Sequence, residues 1–114
     1  MPDCLFCKMV SGEIKPDVVY EDQEVLAFRD INPQAPTHIL IIPKEHIRTM
    51  NDLEPAHSAM IGKLFLTAQK LADREGICDE GYRVVMNCNQ AGGQAVYHIH
   101  LHLLGGRQMG WPPG

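Results

Sequence analysis

His98-Ile99-His100-Leu101-His102-Leu103-Leu104 decides the fold. Imidazoles alternate with aliphatic side chains at period two, and along a strand successive side chains point to opposite faces. One face of such a strand carries chemistry, while the other belongs to a core. Read outward, this strand spans 97–104 and follows a loop containing Gly92-Gly93. Residues 82–87 read as another strand upstream. Segments 17–21, 24–29 and 37–43 are rich in β-branched and aromatic residues and read as three more. Only Asp22 and Gln23 separate the first two, which predicts a hairpin, and Asn32-Pro33-Gln34-Ala35-Pro36 breaks the chain before the third.

Two helices complete the pattern. Over 55–75, Ile61, Leu64, Phe65, Ala68, Leu71 and Ala72 fall on one stripe, with Pro55 suited to the first turn and Gly76 to the position past the end. His57 lies off the stripe and is expected in solvent. A short helix over 4–11 is predicted from Leu5, Phe6 and Met9, with Gly12 as its stop. The order β, β, β, α, β, β implies an α+β architecture. It comprises a five-stranded antiparallel sheet covered on one face by the long helix, with the short helix at the N-terminus. A single domain is expected over residues 1–114, with 105–114 as a Gly- and Pro-rich tail.

A formal charge of −4 and a pI near 5.8 leave no basic field for a nucleic-acid polymer. The start, Met1-Pro2-Asp3-Cys4, lacks the layout of a secretory signal, and no apolar run approaches the roughly 18 residues of a membrane span. Residence in the cytoplasm, away from membranes, is the expectation. There, four cysteines read as reduced thiols or metal ligands, with Cys4 and Cys7 forming a CxxC pair and Cys78 and Cys88 as small bystanders.

Strand geometry limits what the histidines can do. A rise of about 3.3 Å per residue puts the outer two about 13 Å apart, so one ion held about 2 Å from each ligand cannot take all three. Adjacent pairs remain open as ligands. Catalysis is the stronger reading, because neutral imidazole is a nucleophile and imidazolium an acid, and both forms exist near neutrality.

The run Gly92-Gly93-Gln94-Ala95-Val96-Tyr97-His98-Ile99-His100-Leu101-His102-Leu103-Leu104-Gly105-Gly106-Arg107 resembles the histidine-triad (HIT) signature, in its nucleoside-phosphoramidase branch. Phe28 to His38, Ile42-Pro43-Lys44-Glu45-His46-Ile47 and the ending Arg107 to Gly114 resemble it too. The likeness covers essentially the whole chain and implies a HIT-like fold. It implies hydrolysis of purine nucleoside 5′-phosphoramidates through a nucleotidyl-histidine on His100, with His102, His38 and His98 completing the catalytic set. Asp30 would hold ribose; Phe6, Phe28 and Ile31 would wall the base; Asn87, Gly93, Gln94 and Ala95 would line the phosphate. Backbone N–H groups from Gly93 onward are expected to face that phosphate, because glycine allows close approach. Ala95 departs from relatives that carry a hydroxyl there.

The resemblance also implies a structural zinc held by Cys4, Cys7, His46 and His98, a closed Cys2His2 set. It implies a homodimer of paired sheets, with Trp111-Pro112-Pro113 reaching toward the partner's site. No organic cofactor is expected. Competing readings keep His100 but change the leaving group (a dinucleoside polyphosphate hydrolase or a nucleotidyl transferase) or make the chain a nucleotide-binding scaffold.

Overall fold

The computed structural model describes residues 3–114. Met1 and Pro2, part of the domain expected over 1–114, lie outside the described residues. The elements are α1 (Leu5–Val10), β1 (Val18–Glu21), β2 (Val25–Arg29), β3 (Thr37–Pro43), α2 (Ser58–Arg74), β4 (Tyr82–Val85), α3 (Asn89–Gly92) and β5 (Leu101–Gly105). The five strands form one antiparallel sheet in the order β1-β2-β3-β5-β4. The predicted α+β layout is therefore present.

The sheet is covered on both faces, which corrects the one-sided expectation. On the first face Val25, Ala27, Ile39, Ile41, Leu101 and Leu103 pack under Leu64, Ala68, Leu71 and Ala72 of α2. On the second, Leu26, Phe28, Leu40 and Ile42 pack with Phe6 of α1. All seven residues of β3 are buried as a result. The unbroken apolar runs of β2 and β3 are the sequence signature of strands buried on both sides.

Several predicted boundaries shift. The histidine strand begins at Leu101 rather than at 97: its pairing with β3 ends at Ile41, and two places further on, opposite Ile99, stands Pro43, which has no N–H to donate. Ile99 instead donates to the Ile47 carbonyl at 2.8 Å. The preceding strand stops at Val85 and not at 87. The long helix starts at Ser58 after a separate 3-10 turn over Pro55–His57. His57 is not free in solvent: its Nδ1 accepts from the Glu54 N–H at 3.0 Å and its Nε2 lies 3.4 Å from Glu45.

Within α2 the buried stripe is Leu64, Thr67, Ala68, Leu71 and Ala72, while Phe65 is half exposed. Thr67 enters the stripe because its hydroxyl donates to the Lys63 carbonyl at 2.8 Å, which satisfies it without solvent. At the far end of the helix, Glu75 takes two hydrogen bonds from the Arg29 guanidinium, at 2.9 and 3.0 Å. This fork fixes the end of β2 immediately before Asp30. The ladder of β5 runs through Gly105, so the irregular tail begins one residue later than expected.

Leu103 is fully buried between sheet and helix. Leu103→Ala is expected to cost about 2–5 kcal/mol by urea denaturation, and Phe65→Ala less than half as much. Equal losses would contradict the assignment of the α2 faces.

Candidate active site

Residues 98–102 keep their alternation although only part of the segment is laddered. Ile99, Leu101 and Leu103 are buried on the α2 side. His98, His100 and His102 face α1, and the Phe6 ring meets those of His98 and His100 edge-on, at 5.9 and 5.1 Å between centroids. The predicted face of imidazoles is there, and it divides into two sites.

His98 belongs to the first. Its Nε2–H donates to the Pro43 carbonyl at 2.7 Å, so Nδ1 carries the lone pair. That nitrogen lies 3.4 Å from Cys4 Sγ, 3.6 Å from Cys7 Sγ and 3.2 Å from His46 Nδ1, and Cys7 Sγ is 3.3 Å from His46 Nδ1. A tetrahedral ion with ordinary zinc bond lengths has edges of about 3.3 Å between nitrogens and about 3.6 Å between nitrogen and sulfur. The four donors therefore fit a metal ion, as the spacing Cys4-x-x-Cys7 anticipated. Cys4 also caps α1, its sulfur accepting from the Cys7 N–H at 3.3 Å. Burial, then the neighbouring Cys4, pushes the Cys7 thiol above its ordinary value. A cation at the cluster would reverse that tendency.

His100 and His102 make the second site. The His100 Nδ1–H donates to the His98 carbonyl at 2.8 Å, which leaves the lone pair on Nε2. Among the described residues no buried side-chain nitrogen or oxygen lacks a hydrogen-bond partner. His100 Nε2 has none, so it reaches solvent although the residue is 5% exposed. A fixed tautomer with its lone pair turned outward is what a nucleophile requires. The His102 ring lies 4.9 Å away, centroid to centroid.

A relay sets the tautomer of His102 in turn. The Gln34 N–H donates to His38 Nδ1 at 3.0 Å, so His38 carries its proton on Nε2 and donates to His102 Nδ1 at 2.9 Å. The proton of His102 then sits on Nε2, which also faces solvent. Asp30 lies behind this pair, its Oδ2 3.5 Å from His38 Nε2 while its Oδ1 accepts from the Asn32 N–H at 2.8 Å. Asp30, His38 and His102 also lie close enough to share an ion. Their shortest contact is a hydrogen bond, shorter than the nitrogen–nitrogen edge of a metal site.

Burial governs the acid–base behaviour. It lowers His38 and His100, opposed in His38 by Asp30 and in His100 by the bond to His98 and by Asp30. It takes His102 down to about 4, helped by His100 and His38 and opposed by Asp30. All three imidazoles are thus neutral at pH 7.

The remaining predicted residues fall around this centre. Ile31 is 99% exposed beside Asp30, an uncovered apolar side chain at the mouth of the site. Phe6 and Phe28 are buried against each other at 5.5 Å and form its floor, offering almost no free surface. Asn87 lies beyond β4, where two more places of the β4–β5 register would set it opposite His100. Gly93 ends α3 at φ +81°, a conformation glycine adopts without strain.

The backbone donors expected from Gly93 onward need correction. The Gly93 N–H bonds to the Gln90 carbonyl at 3.0 Å and that of Gln94 to Asn89 at 3.1 Å. Both are engaged in the turn, and Ala95 is the first whose N–H takes no part in it. The Gln94 side chain is buried and holds the loop together. It accepts from the Asn89 N–H at 2.8 Å and donates to the carbonyls of Arg48 and Val96 at 2.9 and 3.1 Å. Sequence reasoning missed the Pro43 carbonyl, the Gln34 N–H and this latch. The first two are backbone groups with no side-chain signature.

A buried, tautomer-fixed imidazole with an outward lone pair beside a second imidazole donor is an arrangement chemically able to transfer a group through histidine. The family model of the HIT domain matches residues 11–109, and the chain belongs to that family. It is 54% identical over 108 residues to the "Purine nucleoside phosphoramidase" of Escherichia coli (strain K12), covering 95% of this chain and 91% of that protein. It is 55% identical over 112 residues to the "14 kDa zinc-binding protein" of Zea mays, covering 96% and 87%. Among solved structures, the HIT family hydrolase from Legionella pneumophila Philadelphia 1 superposes with a TM-score of 0.97 at 61% identity, covering 98% of this chain and all of that one.

Because His102 is held at about 4 in the fold and returns to its ordinary value of 6.5 on unfolding, the unfolded chain binds more protons between those values. The contribution of this residue to stability is complete above pH 6.5 and falls as the pH drops toward 4. Urea midpoints measured across that range are expected to decline less steeply in His102→Gln than in the wild type. Parallel curves would show that His102 is not the group responsible.

Proposed function

We propose that this chain hydrolyses purine nucleoside 5′-phosphoramidates at the P–N bond, and aminoacyl adenylates at the P–O bond to the acyl group, by way of a nucleotide covalently held on His100. The observation that carries the reading is the orientation of His100: Nδ1–H tied to the His98 carbonyl, Nε2 open to solvent. The 54% identity to a protein named for phosphoramidase activity points to the P–N bond.

In the first step the Nε2 lone pair of His100 forms a bond to the α-phosphorus. The P–N bond breaks and its electron pair goes to the departing nitrogen, which needs a proton to leave as an amine. His102 supplies it. Free His102 is neutral, but a bound phosphate anion favours a charged His38–His102 pair; the added proton puts one on His102 Nδ1, toward His38, and the proton already on Nε2 passes to the leaving nitrogen. In the second step a water attacks phosphorus, its proton goes to the neutral His102, and the N–P bond to His100 breaks to release the nucleoside monophosphate. A positioned acid contributes roughly 10² to 10⁴ in rate, which is why the His38–His102 bond matters as much as the nucleophile.

Asp30 accepts from the ribose hydroxyls, and Ile31 covers the purine, with Phe6 and Phe28 beneath. Asn87 and the Ala95 N–H hold phosphate oxygens; Gly93 allows the turn that brings them there, and Gln94 keeps the turn in place. Cys4, Cys7, His46 and His98 hold one structural zinc, which ties α1 to the segment before β5. Zinc there supplies charge compensation for two thiolates and no open coordination position.

The unit is one domain over 1–114 with a C-terminal tail, working in the cytoplasm as a homodimer. Support for the dimer is the free edge of β4, together with Phe65 and Leu66 at 50% and 60% exposure and Trp111 at 83%. No helix among the described residues is long and apolar enough to cross a membrane.

During turnover of an AMP–amine conjugate, acid-quenched protein is expected to carry one AMP mass on the peptide containing His100. His100→Ala is expected to abolish the adduct and lower kcat by at least about a thousandfold. Turnover in the variant, or an adduct elsewhere, would overturn the mechanism. Metal-free protein given one equivalent of zinc is expected to melt several degrees higher, a gain lost in Cys7→Ser. A rise of about 2.7 kcal/mol corresponds to free zinc at a hundred times its Kd, and no shift in the wild type would remove the zinc assignment.

A further inference from the structure

Past the end of β3, away from Asp30 and Ile31, the chain builds a second opening. A cleft of about 470 Å³ is lined by His46, Arg48 and Tyr97, with Asp3 beside them and Ala95 and Val96 at its edge. The Arg48 guanidinium carbon stands 4.4 Å above the Tyr97 ring. Its backbone is fixed by the Gln94 side chain, which donates to its carbonyl, and by the Ile99 N–H on the adjacent Ile47 carbonyl. Among the described residues Arg48 makes no ion pair, with Asp3 or with any other carboxylate. A cation anchored in this way, stacked on an aromatic face and lacking a partner, is a ready site for an anionic group.

The strand register places this cleft relative to the chemistry. β3 runs from His38, which contacts Asp30, toward Pro43, and the arm carrying His46 and Arg48 follows. Extending the β3–β5 pairing by one place sets His100 opposite Ile42, between the Asp30 end and the cleft. A nucleoside held at Asp30 and Ile31 with its phosphorus at His100 therefore leaves the cleft for whatever departs. Ala95, from which the segment runs directly to His98, lies at the junction.

We infer that this cleft receives the leaving group and that Arg48 selects amines bearing a single carboxylate, as an amino acid joined to phosphorus through nitrogen does. The inference rests on the phosphoramidase reading above and names its substrate class. One guanidinium, with Asp3 nearby, suits a monoanion; a polyphosphate chain would bring several charges to a site that offers one. Tyr97 and Val96 give the side chain of the departing amino acid an apolar wall.

The test compares AMP–phenylalanine phosphoramidate with its methyl ester, which differs only in the carboxylate charge. Wild type is expected to prefer the acid in kcat/KM. In Arg48→Gln the ratio of acid to ester is expected to fall about fivefold, the effect of losing one partly exposed ion pair. The change should appear in KM with the ratio of kcat values held, and Arg48→Lys should recover part of it. An acid-to-ester ratio that is the same in wild type and Arg48→Gln overturns the inference and leaves the phosphoramidase reading standing. Failure of the wild type to cleave either compound overturns that reading, and the inference with it.

Discussion

The imidazole of His98 is the joint on which two sites turn. Its Nε2–H is held by the Pro43 carbonyl at 2.7 Å, which presents Nδ1 to Cys4, Cys7 and His46. Its own carbonyl takes the Nδ1–H of His100 and so turns the His100 lone pair outward. The carbonyl of Pro43 is open to the ring because the β3–β5 ladder has already ended, at Ile41 and Leu101. A proline at the end of a strand therefore orders a metal cluster on one side and a nucleophile on the other. Rotating His98 would disturb both at once.

Burying several neutral imidazoles side by side is the cost of this arrangement. Each loses solvation in its charged form, and His102 is depressed by the nearby His100 and His38 as well. The fold tolerates it because every nitrogen that is sealed from solvent has a partner, most of them backbone groups. The reward is a set of bases whose neutral form is favoured, His102 down to about 4, ready for an anion whose charge reverses the balance.

Sheet coverage on both faces makes the geometry rigid. α2 packs one side with aliphatic side chains, while α1 brings Phe6 down on the other, where its ring edges hold His98 and His100. Since Cys4 also caps α1, the metal cluster and the floor of the catalytic site share one short helix. Arg29 and Glu75 perform the matching task at the opposite end, locking the turn that carries Asp30.

Local periodicity was enough to show five strands, two helices and a face of three histidines, since alternation and helical stripes are properties of neighbouring residues. The motif residues for both sites were legible for the same reason: CxxC and the alternating imidazoles are contiguous. Hidden from that reading were the end of the β3–β5 ladder before Pro43, the second covered face of the sheet, the outward turn of Phe65 and the engaged N–H groups of Gly93 and Gln94. Each depends on what a distant segment supplies. The sequence by itself determined which side chains could act and that those of His98, His100 and His102 would share one face of an extended segment. Only the tertiary structure decided which nitrogen of each histidine bears the proton, because a tautomer is chosen by the partner across the fold, at Pro43, Gln34 or His38, and no spacing along the chain encodes it.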